Sequence, residues 1–210
     1  MKVSVSILRN KDKIKETIKS LNNTHTDFIH LDILDGTFTE EPSFELCSFN
    51  KIKNNIPYDI HIMSTNMEYQ INEAVKLNPE IITIQYEACK KKEIAKYIDY
   101  IKENGILVGL AINPRTSIRK IKKYLDKIDY LLVMSVVAGL PGQEFIPKTI
   151  KKIKKIRKLN PNFLIGVDGG INYENTKELV NLVDILVVGS YVTETDYYED
   201  QILKLKHIKN

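Results

Sequence analysis

Short apolar runs and longer amphipathic stretches alternate along the whole chain. The apolar runs are rich in Ile, Val and Leu and only a few residues long, as expected of strands buried on both faces of a parallel sheet. They predict strands over Val3–Leu8, Phe28–Leu34, Tyr58–Met63, Ile81–Tyr86, Ile106–Ile112, Tyr130–Val136, Phe163–Val167 and Ile185–Gly189. Between them, apolar residues recur at helical spacing among lysines and glutamates. That pattern predicts helices over Lys11–Leu21, Phe44–Lys53, Met67–Leu77, Lys91–Glu103, Ser117–Lys127, Pro147–Lys158 and Asn175–Leu182, with a last one over Tyr198–His207. Asn66, Thr116, and Asn172 or Asn175 stand at helix starts, where a side-chain oxygen can accept an orphan backbone N–H.

Strand–helix alternation calls for parallel strands joined by right-handed crossovers. Eight units of about 26 residues suit a closed (β/α)8 TIM barrel better than an open doubly wound sheet. No Pro/Gly/Ser-rich stretch divides the chain, so one barrel domain over residues 1–210 is expected. In such a barrel, function gathers at the C-terminal ends of the strands, and phosphate binds after strands seven and eight.

The composition, 43% hydrophobic and 28% charged, is that of a globular chain. No apolar run approaches the roughly 20 residues of a membrane span, so no membrane partner is expected. The opening "MKVSVSILRNKDKIKE" lacks a signal-peptide core followed by a small-residue cleavage site. Cys47 and Cys89 have no C-x-x-C neighbour and read as free thiols of a reducing, cytoplasmic compartment. Lysines crowd "KTIKKIKKIRK" (Lys148–Lys158), yet Ile150, Ile153 and Ile156 recur at threes and no aromatic residue interleaves. A helix with a solvated outer face is therefore expected there, not a nucleic-acid surface.

Against this background "FIHLDILDG" (Phe28–Gly36) stands out, because an apolar strand carries His30 and Asp32 on one face. His61 lies in the apolar "YDIHIM", and Asp168 tips the strand "IGVDGG". Either histidine alone reads as a hydrogen-bonded core residue. Together the four residues offer a divalent-metal site whose mixed N/O donors favour Zn, Fe, Mn or Co over Mg. Asp35, before Gly36, reads as a turn residue. Glycines follow the last three strands in "AGLPGQ" (Ala138–Gln143), "DGG" (Asp168–Gly170) and "GS" (Gly189–Ser190). They let backbone N–H groups approach a phosphate closely.

With these motifs the chain resembles the ribulose-phosphate 3-epimerase family along almost its whole length. The matching pieces are "SIL" (Ser6–Leu8), "HLDILDGTF" (His30–Phe38), "DIHIM" (Asp59–Met63), "GLAINP" (Gly109–Pro114), "LVMSVVAGLPGQEFIP" (Leu132–Pro147), "VDGGIN" (Val167–Asn172) and "VVGS" (Val187–Ser190). The resemblance implies a barrel of the ribulose-phosphate-binding type. It implies that His30, Asp32, His61 and Asp168 hold the divalent metal, with Asp32 and Asp168 as acid and base. It implies substrate contacts from Ser6, His61, Gly139, Leu140, Pro141, Gly142, Gly169, Gly170, Gly189 and Ser190, and a lining from Met63 and Met134. The implied reaction interconverts D-ribulose 5-phosphate and D-xylulose 5-phosphate at carbon 3 through an enediolate, within the pentose phosphate pathway. The implied partner is a small phosphorylated ketose; family members form dimers to hexamers, so self-association is compatible with the resemblance.

The chain departs from the family at several positions. Leu34 stands where a third Met is usual, Gln85 where His is usual, Met67 where Pro is usual, and "VVAGLPGQ" replaces "NPGFGGQ". Pro141 thereby removes a backbone N–H. These changes leave the ligands untouched and bear on substrate choice. A 3-epimerase of a longer sugar such as allulose 6-phosphate, and a non-catalytic phosphosugar binder, remain alternatives. A D-x-K-x-x-D decarboxylase does not, since Ile33-Leu34-Asp35 follows Asp32 without a lysine.

Overall fold

The computed structural model describes residues 1–139, 142–159 and 162–208; Leu140 and Pro141 lie outside the described residues. Eight parallel strands close into a barrel in sequence order: β1 (Lys2–Ser6), β2 (Phe28–Leu34), β3 (Tyr58–Met63), β4 (Ile81–Gln85), β5 (Leu107–Ile112), β6 (Tyr130–Met134), β7 (Leu164–Asp168) and β8 (Ile185–Val188). β8 closes on β1 through pairs running from Lys2↔Ile185 to Val5↔Val188. The longest register, Ile29↔Tyr58 to Leu34↔Met63, joins β2 to β3.

Alternation along each strand divides the apolar residues into two layers. Ile29, Leu31 and Ile33 face outward and pack with helix residues such as Ile18, Ile98 and Ile153 in one core cluster. Phe28 and Leu34 face inward and join Ile81, Tyr130, Leu132 and Val187 in a second cluster inside the barrel. Tyr130 fills the barrel's middle. A Cβ at Gly166 would stand 1.8 Å from its hydroxyl, and one at Gly109 would stand 2.9 Å from its ring. The two glycines make the room that this ring needs.

The outer layer is α1 (Ile14–Leu21), α2 (Met67–Val75), α3 (Ile94–Glu103), α4 (Ile118–Ile121), α5 (Lys148–Leu159), α6 (Tyr173–Leu179), α7 (Ser190–Thr193) and α8 (Tyr198–Lys206). Two expected helices are tighter than their patterns suggested. Phe44–Lys53 contains only a 3-10 helix, Leu46–Lys51, and Ser117–Lys127 splits into α4 and a 3-10 turn, Lys122–Tyr124. In both, apolar residues recur at threes (Leu46 and Phe49, both buried; the half-buried Ile118 with the buried Ile121 and Tyr124), which is the 3-10 period. A further 3-10 turn, Leu8–Lys13, takes the end of the expected first strand and leads into α1.

Capping also sharpened the boundaries. Asn172 and Asn175 form a reciprocal capping box, so α6 starts earlier than expected, and it stops before Asn181, whose φ is +64°. Ser117, not Thr116, caps α4, and Asn66 makes no side-chain capping bond. α7, immediately after Gly189, had no sequence signal.

Candidate active site

His30 and Asp32 come from β2, His61 from β3 and Asp168 from the tip of β7. The register sets Asp32 directly beside His61 and Met134 beside Asp168. One donor atom from each of the four lies within 4.8 Å of all the others. His30 and His61 are 0% exposed and Asp32 5%, while Asp168 is partly open to the cavity above.

The hydrogen bonds fix which nitrogen of each histidine is available. His30 Nδ1 lies 2.8 Å from Asp59 Oδ2; a carboxylate only accepts, so Nδ1 carries the proton. Ser4 Oγ donates to the same oxygen at 2.9 Å. His61 Nε2 lies 2.8 Å from Gln85 Oε1, and the Gln85 amide nitrogen donates to Glu87, so Nε2 likewise carries a proton. That leaves His30 Nε2 and His61 Nδ1, 3.3 and 3.4 Å from Asp32 Oδ1. Both nitrogens are buried and have no hydrogen-bond partner. Ser6 Oγ occupies the other oxygen of Asp32 at 2.8 Å. Buried polar atoms without partners are rare. Two lone pairs aimed at a carboxylate oxygen, with a second carboxylate alongside, fit a divalent cation and little else.

The charges agree with this arrangement. Burial opposes ionisation of Asp32, but His30 and then His61 hold its carboxyl well below the usual range. Burial, with the charge of Asp32 next, pushes Asp168 up to about 7 against the opposing pull of the histidines. Burial also works against a charged His30, yet Asp59 and then Asp32 outweigh it and raise that group well above its ordinary value. Without a cation, protons therefore occupy the place where one would bind.

Above the cluster opens a cavity lined by Asp32 and Asp168, by Ser6, Gly139, Gly142, Gly169, Gly170, Gly189 and Ser190, and by Met63 and Met134. These are the described residues singled out in the sequence, except His30 and His61, which lie beneath the cavity and do not line it. Gly170, at φ +64°, packs so tightly that a Cβ would stand 2.4 Å from the Phe145 nitrogen. Ser135 pins the β7 tip: its N–H donates to the Asp168 carbonyl at 2.6 Å, and its hydroxyl faces the carbonyls of Asp168 and Gly169. Asp35 behaves as the turn residue expected, accepting from Thr37 N at 3.1 Å and from Ser64.

The supporting residues were not anticipated. Asp59 lies two residues before His61, so strand alternation places it on the same inward face and gave a usable signal. Glu87 had none. It accepts from Gln85, from Thr116 Oγ1 and from Asn113 N (3.1 Å), and Asn113 Oδ1 in turn accepts from Ala138 N at 3.1 Å. His61 is thereby tied to the loop after β6. Lys152, expected on a solvated face, instead donates to the carbonyls of Asn113, Pro114 and Thr116 at 2.9, 2.6 and 2.8 Å.

Comparison with known proteins agrees with this geometry. A ribulose-phosphate 3-epimerase of Helicobacter pylori is 32% identical over 100% of this chain and 97% of its own length. One of Buchnera aphidicola (subsp. Baizongia pistaciae) is 34% identical over 98% and 94%. Among solved structures, a Mycobacterium tuberculosis tryptophan synthase superposes with a TM-score of 0.71 over 97% of this chain and 90% of its own, at 8% identity, a likeness of fold alone. The sequence profile of the ribulose-phosphate 3 epimerase family matches residues 2–193, and with full-length relatives a third identical, the chain belongs to that family.

Proposed function

We propose that the chain is a metal-dependent epimerase that interconverts D-ribulose 5-phosphate and D-xylulose 5-phosphate at carbon 3, with Asp32 and Asp168 as its acid/base pair. One observation carries this reading: two unpartnered imidazole nitrogens and two carboxylates converge on the floor of one cavity. His30, Asp32, His61 and Asp168 would hold a divalent cation, one of Zn, Fe, Mn or Co, which would supply positive charge to offset the negative charge of the enediolate.

The carboxylates do the proton transfer. Removing the C3 proton, which is acidic because C2 is a carbonyl, gives a flat enediolate. Asp32 on β2 and Asp168 on β7 approach it from different strands. One accepts the C3 proton and the other delivers one to the opposite face, and their roles exchange in the reverse reaction. Ser6 steadies Asp32 by a hydrogen bond, and Ser135 steadies the backbone that carries Asp168. Met63 and Met134 give the chamber apolar walls that exclude water from the enediolate. Gly142, Gly169, Gly170, Gly189 and Ser190 present backbone and hydroxyl donors to the phosphate.

The wider reading is of residues 1–210 acting as one barrel unit in the cytoplasm. Supporting it, Cys47 and Cys89 are free thiols, and no helix of the described residues is long and apolar enough to cross a membrane.

The test is proton exchange in D2O followed by NMR, with metal-loaded protein and D-ribulose 5-phosphate. Deuterium at carbon 3 together with xylulose 5-phosphate, lost in Asp168→Asn and in metal-stripped protein, is the expected result. Turnover of allulose 6-phosphate alone would move the substrate to a longer ketose phosphate. Inertness towards both sugars with metal bound would overturn the assignment in favour of a phosphosugar binder.

A further inference from the structure

On the epimerase reading, on which this proposal rests, the substrate brings a phosphoryl dianion into a chamber that already holds the carboxylates of Asp32 and Asp168. Among the described residues, one cationic side chain lines that chamber: Arg9. It sits in the 3-10 turn directly after β1. Its guanidinium stands between two walls of the mouth. On one side it pairs with Glu194, which directly follows α7; the two side chains are 40% and 52% exposed. On the other it lies against Gly142, where a Cβ would come within 1.9 Å of Nη2 and 3.0 Å of Cζ. Gly142, at φ +77°, thus forms the wall against which the guanidinium rests. Gly170, Gly189 and Ser190 line the same chamber.

We propose that Arg9 binds the phosphoryl group of the substrate, and that Glu194 holds the guanidinium at the mouth until the phosphate takes its place. The guanidinium fork matches two phosphate oxygens at once, which a lysine ammonium cannot do. An exposed carboxylate holds an arginine only weakly. A dianion that also meets backbone donors in a partly closed chamber competes for it effectively. When Arg9 changes partner, Glu194 returns to water and no proton moves. Arg9 then offsets the repulsion between the incoming phosphate and the two carboxylates, and makes the site selective for phosphorylated ketoses.

The experiment compares metal-loaded wild type, Arg9→Gln, Arg9→Lys and Glu194→Gln in steady-state epimerisation of D-ribulose 5-phosphate. In parallel, inorganic phosphate is titrated into each zinc-loaded protein and followed by the amide shifts of Gly170 and Gly189. Arg9→Gln is expected to raise KM about tenfold or more, as for a lost charged hydrogen bond, with kcat within about twofold. Phosphate affinity falls by a similar factor. Arg9→Lys recovers part of the loss, and Glu194→Gln lowers KM by about two- to threefold. An unchanged KM and phosphate affinity in Arg9→Gln overturns the role of Arg9 while leaving the epimerase reading intact. An unchanged KM in Glu194→Gln overturns the part assigned to Glu194. If wild type turns over no ketose phosphate, the epimerase reading falls and the titration alone decides. Weaker phosphate binding in Arg9→Gln then supports the role of Arg9, whereas equal binding, or none to wild type, overturns it.

Discussion

Replacing Asp59 by Asn tests how the proposed metal ligands are held. Asp59 is 0% exposed and touches no part of the cavity, yet its Oδ2 is the partner of His30 Nδ1 at 2.8 Å. The amide keeps the shape and removes the charge. Its carbonyl oxygen still accepts from His30 Nδ1–H, so the tautomer holds while the ring loses its anionic partner, and the amide nitrogen falls at the buried Oδ1 position, which has no partner. Losing such a partner behind a ligating histidine weakens metal binding by about 10- to 100-fold, or about 1.4–2.7 kcal/mol. The sign of the pH dependence follows from the proton that competes with the cation. Asp59, ahead of Asp32, is what raises His30 above its ordinary value. Wild type must therefore expel a tightly held proton at pH 6, whereas Asp59→Asn holds that proton less firmly. The penalty is expected to be largest near pH 8 and to shrink towards pH 6. Zinc affinity by competition with a chromophoric chelator at both pH values measures it, with circular dichroism confirming the fold. Wild-type affinity in Asp59→Asn at pH 8 would refute the claim that the charge of Asp59 strengthens His30 as a ligand.

Three further outcomes are expected. In metal-free protein Asp168 keeps its proton up to about pH 7, and His30, beside Asp59 and Asp32, keeps its own to a higher pH than an ordinary histidine. Both folded-state values lie above the unfolded ones, so the stability they contribute is present at low pH and lost as pH rises. Metal replaces those protons, so the gain in Tm on adding zinc is expected to be larger at pH 8 than at pH 6, and a larger gain at pH 6 would contradict it. Gln85→Leu leaves the His61 Nε2–H without its acceptor at 2.8 Å; metal affinity is expected to fall about tenfold, read by the same chelator competition, and no change would remove Gln85 from the support of His61. Tyr130→Phe deletes a buried hydroxyl with no partner and is expected to leave stability unchanged or raise it by about 1 kcal/mol in urea unfolding; a loss of that size would show that the hydroxyl is satisfied after all.

Much of the barrel was legible because the strands are mostly apolar and buried, so β-branched runs broken by lysine-rich periodic stretches leave few other folds open. The same contrast exposed the cluster: His30, Asp32, His61 and Asp168 are polar residues inside otherwise apolar runs. Helix type was less legible. A spacing of three fits one turn of an α-helix and a 3-10 helix alike, and Leu46–Lys51 and Lys122–Tyr124 took the tighter form. Lys152 shows the limit of reading a charged run as uniformly solvated. Its neighbours face water, but its own ammonium lies over three carbonyls that follow β5.

What the sequence withheld most completely was the protonation state of the two histidines, as distinct from their presence in the cluster. A histidine in a strand announces itself locally. Which of its nitrogens is free depends on a partner 29 residues away for His30 and 24 away for His61. Those partners arrive only when β2, β3 and β4 pair in one register, with Asp32 beside His61 and His61 beside Thr83. A slip of one residue would turn Asp59 and Gln85 outward and leave both rings free to take the other tautomer. Barrel closure therefore does chemical as well as geometric work here, because it decides where the ring protons sit and so aims both lone pairs at the oxygen of Asp32. The departure at Gln85 is intelligible in those terms. A glutamine whose amide nitrogen is committed to Glu87 can present only its oxygen to His61, so the free lone pair of that ring is assigned as firmly as the Asp59 carboxylate assigns the one on His30.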